Sequence, residues 1–134
     1  MLMSFGMFVF ELASLPFQSM EQAMGWRHAA SSRVGVRPAR QFLGPDDETV
    51  TLSGVLAPEI TGGEPSITEL REMADAGTAA PLIDGNGRVY GHFVITSLNL
   101  TRTLFFKDGS ARRIEFRIGF ARVDEHAGML SSEP

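Results

Sequence analysis

Four arginines, Arg27, Arg33, Arg37 and Arg40, crowd the stretch that begins at Trp26, with His28 among them and no carboxylate between. Guanidinium groups serve two kinds of chemistry there: forked pairing with carboxylates at a partly dry protein interface, and neutralisation of phosphate. Acidic residues gather further along, at Glu59, Glu64, Glu69, Glu72 and Asp75. Cations and acids are thus segregated along the chain, as expected where one region of a subunit meets a different region of its neighbour. Trp26, Arg27, Arg33, Arg37 and Arg40 on one side, and Glu69, Glu72 and Asp75 on the other, are the candidate subunit-interface residues. The competing reading is two solvated faces of a monomer.

Other chemistry is poorly provided for. His28, His92 and His126 are far apart and lack metal-ligand spacing such as HxH or HExxH. No GxSxG marks a serine nucleophile, and with no cysteine there is neither thiolate nor disulfide. Gly85-Asn86-Gly87 opens a strand and reads as a turn, not a dinucleotide fingerprint. Gly62-Gly63 precedes a helix, but Glu64, Glu69 and Glu72 surround that end and disfavour an anion. Asp46 and Asp47 read as solvated turn acids. We expect no catalytic residue, no metal, no cofactor and no small-molecule substrate.

The composition agrees with a binding part. The 134 residues suit one domain over 1–125, followed by a flexible tail over 126–134. A net charge of −4 argues against a duplex-binding surface, which is ordinarily basic. Of the 12 cations only Lys107 is lysine, a bias that fits interface contacts but also fits a genome rich in arginine codons. The apolar start, Met1 to Phe10, is too short for a membrane span and lacks the basic flank of a signal peptide, so a soluble cytoplasmic product is expected.

The elements that must carry these residues are mostly strands. We expect strands over Gly6–Leu12 and Gln18–Arg27, the latter with some tolerance for helix. The segment Trp26–Arg40, with Ser31-Ser32, Gly35 and Pro38, reads as a long arm that is mobile until a neighbour orders it. Arg40–Leu43 and Thr49–Ala57 are expected to pair across the Pro45-Asp46 turn. One helix follows Pro65, with Ser66 and Glu69 at capping-box spacing, Ile67, Leu70, Met73 and Ala74 on one face, and Gly77 as its stop. Strands then fall at Ala80–Ile83, Arg88–Leu98, Thr101–Phe106 and Ala111–Val123. The last is the clearest: Ile114, Phe116, Ile118 and Phe120 point inward, and Arg113, Glu115, Arg117 and Ala121 outward. The expected core is Phe8, Phe10, Leu52, Leu56, Leu70, Phe93 and Ile95 with those four. Seven or eight short strands and a helix give a mainly β (α+β) chain, an antiparallel sandwich or small barrel with one flanking helix.

Several short pieces occur in one collinear order: Gly6-Met7-Phe8-Val9-Phe10, Leu15-Pro16-Phe17, Trp26-Arg27-His28, Ser32-Arg33-Val34-Gly35 and Gln41-Phe42-Leu43-Gly44-Pro45. Leu52-Ser53-Gly54-Val55-Leu56, Thr61-Gly62-Gly63, Met73-Ala74-Asp75, Gly91-His92-Phe93-Val94-Ile95 and Arg112-Arg113-Ile114-Glu115-Phe116 continue it. Over nearly the whole chain this pattern resembles the tail protein U (gpU) family of contractile-tailed temperate phages and R-type pyocins. The resemblance implies a structural virion component needed for tail assembly, a fold similar to the tail tube, and a place near the tube–baseplate junction. It implies partners among copies of the chain itself, in a ring such as a hexamer, and among other tail and baseplate proteins. Assembly in the host cytoplasm into a virion tail follows, with no specific nucleic acid and no membrane. Two alternatives stay open: a terminator or completion protein at the head-proximal end, and a nucleic-acid-binding module using the basic arm.

Overall fold

The best alternation in the sequence forms the spine of the molecule. A computed structural model describes residues 2–11, 14–58 and 63–124. Its elements are β1 (Met3–Phe5), β2 (Phe8–Phe10), β3 (Ser19–Ala23), β4 (Trp26–Arg33), β5 (Val36–Pro45), β6 (Thr49–Leu56), α1 (Glu64–Asp75), β7 (Ala80–Asp84), β8 (Val89–Phe105) and β9 (Ala111–Val123). Seven strands make one unclosed antiparallel sheet in the order β2-β1-β7-β8-β9-β6-β3, while β4 and β5 pair only with each other. The chain is mainly β with antiparallel sheets and one flanking helix among the described residues, as its patterning predicts.

Register explains the core. On β9, Phe120 lies between Val50 of β6 and Ile95 of β8, Ile118 between Leu52 and Leu98, and Phe116 between Gly54 and Leu100. Alternation sends these cross-strand rows to one face, where Ile114, Phe116, Ile118 and Phe120 are buried and Arg113, Glu115 and Arg117 are exposed on the other. Gly54 is required in its row. A Cβ there would lie 2.9 Å from Phe116 Cζ and 2.7 Å from the Pro16 carbonyl oxygen. The sheet bends so that its two margins share this core: Phe10 of β2 stacks edge-on against Phe17, just before β3, at 6.0 Å. Phe5 of β1 likewise meets Phe120 of β9 at 5.1 Å. Of the expected core only Ile95 is not fully buried; it packs against the cluster from its border.

Helix α1 lies along β8 and turns Ile67 and Leu70 into the core, with Met73 packed against them and Glu69, Glu72 and Asp75 exposed. Its start differs from the expected capping box. Gly63 is the N-cap at φ 104°, Pro65 falls in the first turn, and no side chain caps the helix, so Ser66 lies already inside it. Glu64 in that first turn pairs with Arg102 of β8 at 3.3 Å. The stop is as read: Ala76 caps the helix and Gly77 takes φ 67° immediately after it.

Four boundaries need correction. The first expected strand starts later than read: Gly6 at φ 59° is the turn of a hairpin, and β2 begins at Phe8 and pairs back on β1. The expected pair of strands on either side of Asn99 is one 17-residue strand, β8, with a bulge between Ile95 and Ser97. Arg40–Leu43 does not pair with Thr49–Ala57: β6 lies between β9 and β3 instead, and β5 pairs with β4. The stretch read as an irregular arm, 26–40, lies instead in a two-stranded hairpin of β4 and β5. The expectations for Leu12, for the break from Glu59 through Gly62 and for 126–134 lie outside the described residues.

At the other turn, Asp84 Oδ1 accepts the backbone N–H groups of Asn86 (2.9 Å) and Arg88 (3.0 Å), and Oδ2 accepts the Tyr90 hydroxyl (3.2 Å). The Arg88 hydrogen bond above all holds this carboxyl below its ordinary value.

Candidate subunit interface

The arginine segment folds because its two halves are complementary strands around a two-residue loop, Val34-Gly35, with Gly35 supplying φ 74°. Pairing runs from Trp26 opposite Pro45 at the base to Arg33 opposite Val36 at the tip. Two bulges interrupt it, one beside Arg27 and His28 and one between Ser31 and Arg33. Pro38 lies opposite the second, where a missing N–H costs no ladder bond. Among the described residues no third strand pairs with either edge, so the ribbon is separate from the main sheet, about 25 Å long at 3.3 Å per residue.

Its base is well tied down. The Asp46 N–H donates to the Gly25 carbonyl at 2.8 Å, closing the neck of the hairpin. One step on, the Arg122 N–H donates to the Glu48 carbonyl (2.9 Å) and the Arg122 guanidinium pairs with Glu48 Oε1 (3.0 Å). Gln22 Nε2 donates to the other oxygen of Glu48 at 2.9 Å. A groove of about 790 Å³ opens beside this neck, lined by Arg27, Pro45 to Glu48, and Arg122 to Asp124.

Beyond the neck most of the described side chains of the ribbon are exposed. Arg27, Arg37 and Arg40 are exposed, and Trp26, Phe42 and Leu43 expose 60%, 59% and 57% of their surface. His28 and Phe42 form a cross-strand ring pair at 5.3 Å, which stiffens the middle of the hairpin. Large apolar and guanidinium groups together, without a carboxylate from Trp26 to Pro45, match the composition of an interface core more than that of free surface. Arg33 closes β4 at the tip; its side chain lies outside the described ones.

The candidate acidic residues sit elsewhere. Glu69, Glu72 and Asp75 line the exposed side of α1, and among the described residues Arg27, Arg37 and Arg40 make no ion pair with them. The fold thus brings each half of the candidate interface together on its own element, and no ion pair among the described residues joins the two. Sequence reasoning missed that the basic half is a β-ribbon. The signal was present in Val34-Gly35 between two runs of paired length, but the small residues at 29–32 and Pro38 concealed it. The exposed Phe42 and Leu43 were likewise not among the expected interface residues, because Arg40–Leu43 had been paired with Thr49–Ala57.

Among the described residues no group of three or more His, Cys, Asp or Glu side chains could hold a metal ion. None of their helices is long and apolar enough to cross a membrane.

Solved chains from gene transfer agent particles share this architecture. A chain in the virion of a native gene transfer agent particle superposes with a TM-score of 0.57 at 16% identity, covering 91% of this chain and 89% of that one. A chain in the tail of an empty gene transfer agent particle, solved with helical refinement and C6 symmetry, gives 0.50 at 16% identity over 80% and 77%. At that identity the likeness is one of fold. No curated protein matches the chain. The family model described as Phage P2 GpU matches residues 6–125, nearly the whole length, and the chain belongs to that family.

Proposed function

We propose that this chain is a structural subunit of a contractile, phage-type tail, assembling with copies of itself into a ring near the junction of tube and baseplate. The observation that carries the reading is that, among the described residues, the exposed arginines of the acid-free ribbon make no ion pair with the acidic face of α1. The two halves are complementary in charge and form no ion pair with each other among the described residues, so a neighbour is the natural place for each to find the other. Such a head-to-tail contact closes into a ring when the rotation per subunit divides a full turn. Membership of the Phage P2 GpU family and the fold shared with a chain from a C6-symmetric tail support a ring, with six copies as the simplest count. Ribbon arginines Arg27, Arg33, Arg37 and Arg40, with Trp26, meet Glu69, Glu72 and Asp75 of the next subunit. The work is mechanical: the chain binds and positions, with neither a reaction nor a cofactor assigned to it.

Low-resolution imaging of intact tails carrying a labelled copy tests the position. Label near the baseplate is the expected result. Label at the head-proximal end would make the chain a terminator, and tails lacking label would defeat the assembly reading. Oligonucleotide binding with a steep salt dependence would instead favour a nucleic-acid role for the ribbon.

A further inference from the structure

A second apolar projection lies far from the ribbon. Where β8 turns into β9, Leu104, Phe105 and Phe106 are 65%, 57% and 39% exposed. Leu104 sits at φ 57°, in the left-handed region that side chains other than glycine seldom adopt. A leucine there costs backbone energy that a glycine would avoid and stays largely exposed, which marks it as a candidate contact.

The turn holds these groups rigidly. The Phe106 N–H donates to the Ser110 carbonyl (2.9 Å), the Gly109 N–H to the Phe106 carbonyl (3.0 Å), and Asp108 Oδ1 accepts both the N–H and the hydroxyl of Ser110. Arg112 lies over the Phe106 ring at 4.9 Å. With Asp108 turned back on Ser110, exposed Lys107 and Arg112 give the apolar tip a positive rim.

The groove at the ribbon's base is its complement. It carries the exposed Asp46, Asp47 and Asp124 against Arg27 and the Arg122–Glu48 pair, a lining with net negative charge, and its apolar parts are Pro45 and Val123. The tip is at the start of β9 and the groove at its end, separated by about 40 Å of extended strand, so no chain can fill its own groove. We propose that the β8–β9 tip of one copy seats in the ribbon-base groove of the next, joining copies end to end along β9. The contact is heterologous: two different surfaces, at opposite ends of one molecule, matched in charge and both with apolar parts. It rests on the reading that the chain assembles with its own copies, and adds an axial contact to the lateral one between ribbon and helix.

The chain has no cysteine, so disulfide trapping reads contacts without background. Lys107→Cys chains mixed with Asp47→Cys chains under mild oxidation are expected to cross-link at least about tenfold more than Lys107→Cys with Glu72→Cys, as a high effective concentration requires. Adding Phe105→Ser and Phe106→Ser to the Lys107→Cys chain should abolish that preference while the melting curve stays in place. Equal yields for the two pairings, or a preference that survives loss of both phenylalanines, would overturn the proposal. Arg37→Cys with Glu72→Cys reports the lateral contact in the same experiment. If that pair links and the tip–groove pair does not, only the axial contact fails. If neither links, both readings fail together.

Discussion

The main sheet and the ribbon are both antiparallel β-structure, yet they are held by opposite means. In the sheet, β9 has a partner on each side, and its alternate residues are buried in rows with β6 and β8. In the ribbon each strand has one partner, both edges are open, and its largest side chains face solvent. A two-stranded hairpin is at best marginally stable alone in water. This one keeps its shape through the neck at Gly25, Asp46, Glu48 and Arg122, and through the His28–Phe42 contact. Local pairing can therefore specify a shape without burial, and apolar side chains left out of the core are available to another molecule.

The comparison breaks first in the sheet. Phe116→Ala and Phe120→Ala each remove a buried ring from a cross-strand row, and each should cost about 3–5 kcal/mol in denaturant unfolding. Unchanged midpoints would mean that the β9 register is wrong. A subtler test adds volume. Gly54→Ala places a methyl against the Pro16 carbonyl and the Phe116 ring, and should cost about 1–3 kcal/mol. Gly35→Ala at the ribbon tip meets no atom within 4 Å. Its effect is confined to the local φ of the turn and should be smaller.

A pH titration sharpens the account of the turns. Asp84 has its folded value depressed by the Arg88, Asn86 and Tyr90 hydrogen bonds. A depressed carboxyl contributes stability that is present above its unfolded value and lost as pH falls through the lower folded one. Asp84→Asn should therefore lower the melting temperature at neutral pH, and the gap from the natural chain should close as pH drops below about 4. A gap that stays constant down to the acid limit would assign the Asp84 contribution to shape alone.

How far the sequence reveals this molecule depends on the kind of interaction. Ile114, Phe116, Ile118 and Phe120 were readable because burial imposes a period of two, and the Ile67–Leu70–Met73 stripe because a helix imposes its own. Gly77 and the Asp84–Gly87 turn were readable because backbone conformation restricts which residues fit there. The partner of β5 was not. Pairing is decided over long distances by which rows fit together, and Phe42-Leu43 looks equally apolar beside β6 or beside solvent. For the same reason the candidate residues Arg27, Arg37 and Arg40 were legible by type and charge, while the ribbon that displays them was not.

The most direct test reverses charge on the ribbon. Arg37 and Arg40 are exposed, so Arg37→Glu with Arg40→Glu should move stability by less than about 0.5 kcal/mol. The doubly reversed chain, scored for incorporation into tails beside its melting curve, should fold normally and fail to assemble. Normal incorporation with a normal melting curve would contradict the interface, and a collapsed melting curve would show that the ribbon belongs to the body of the fold.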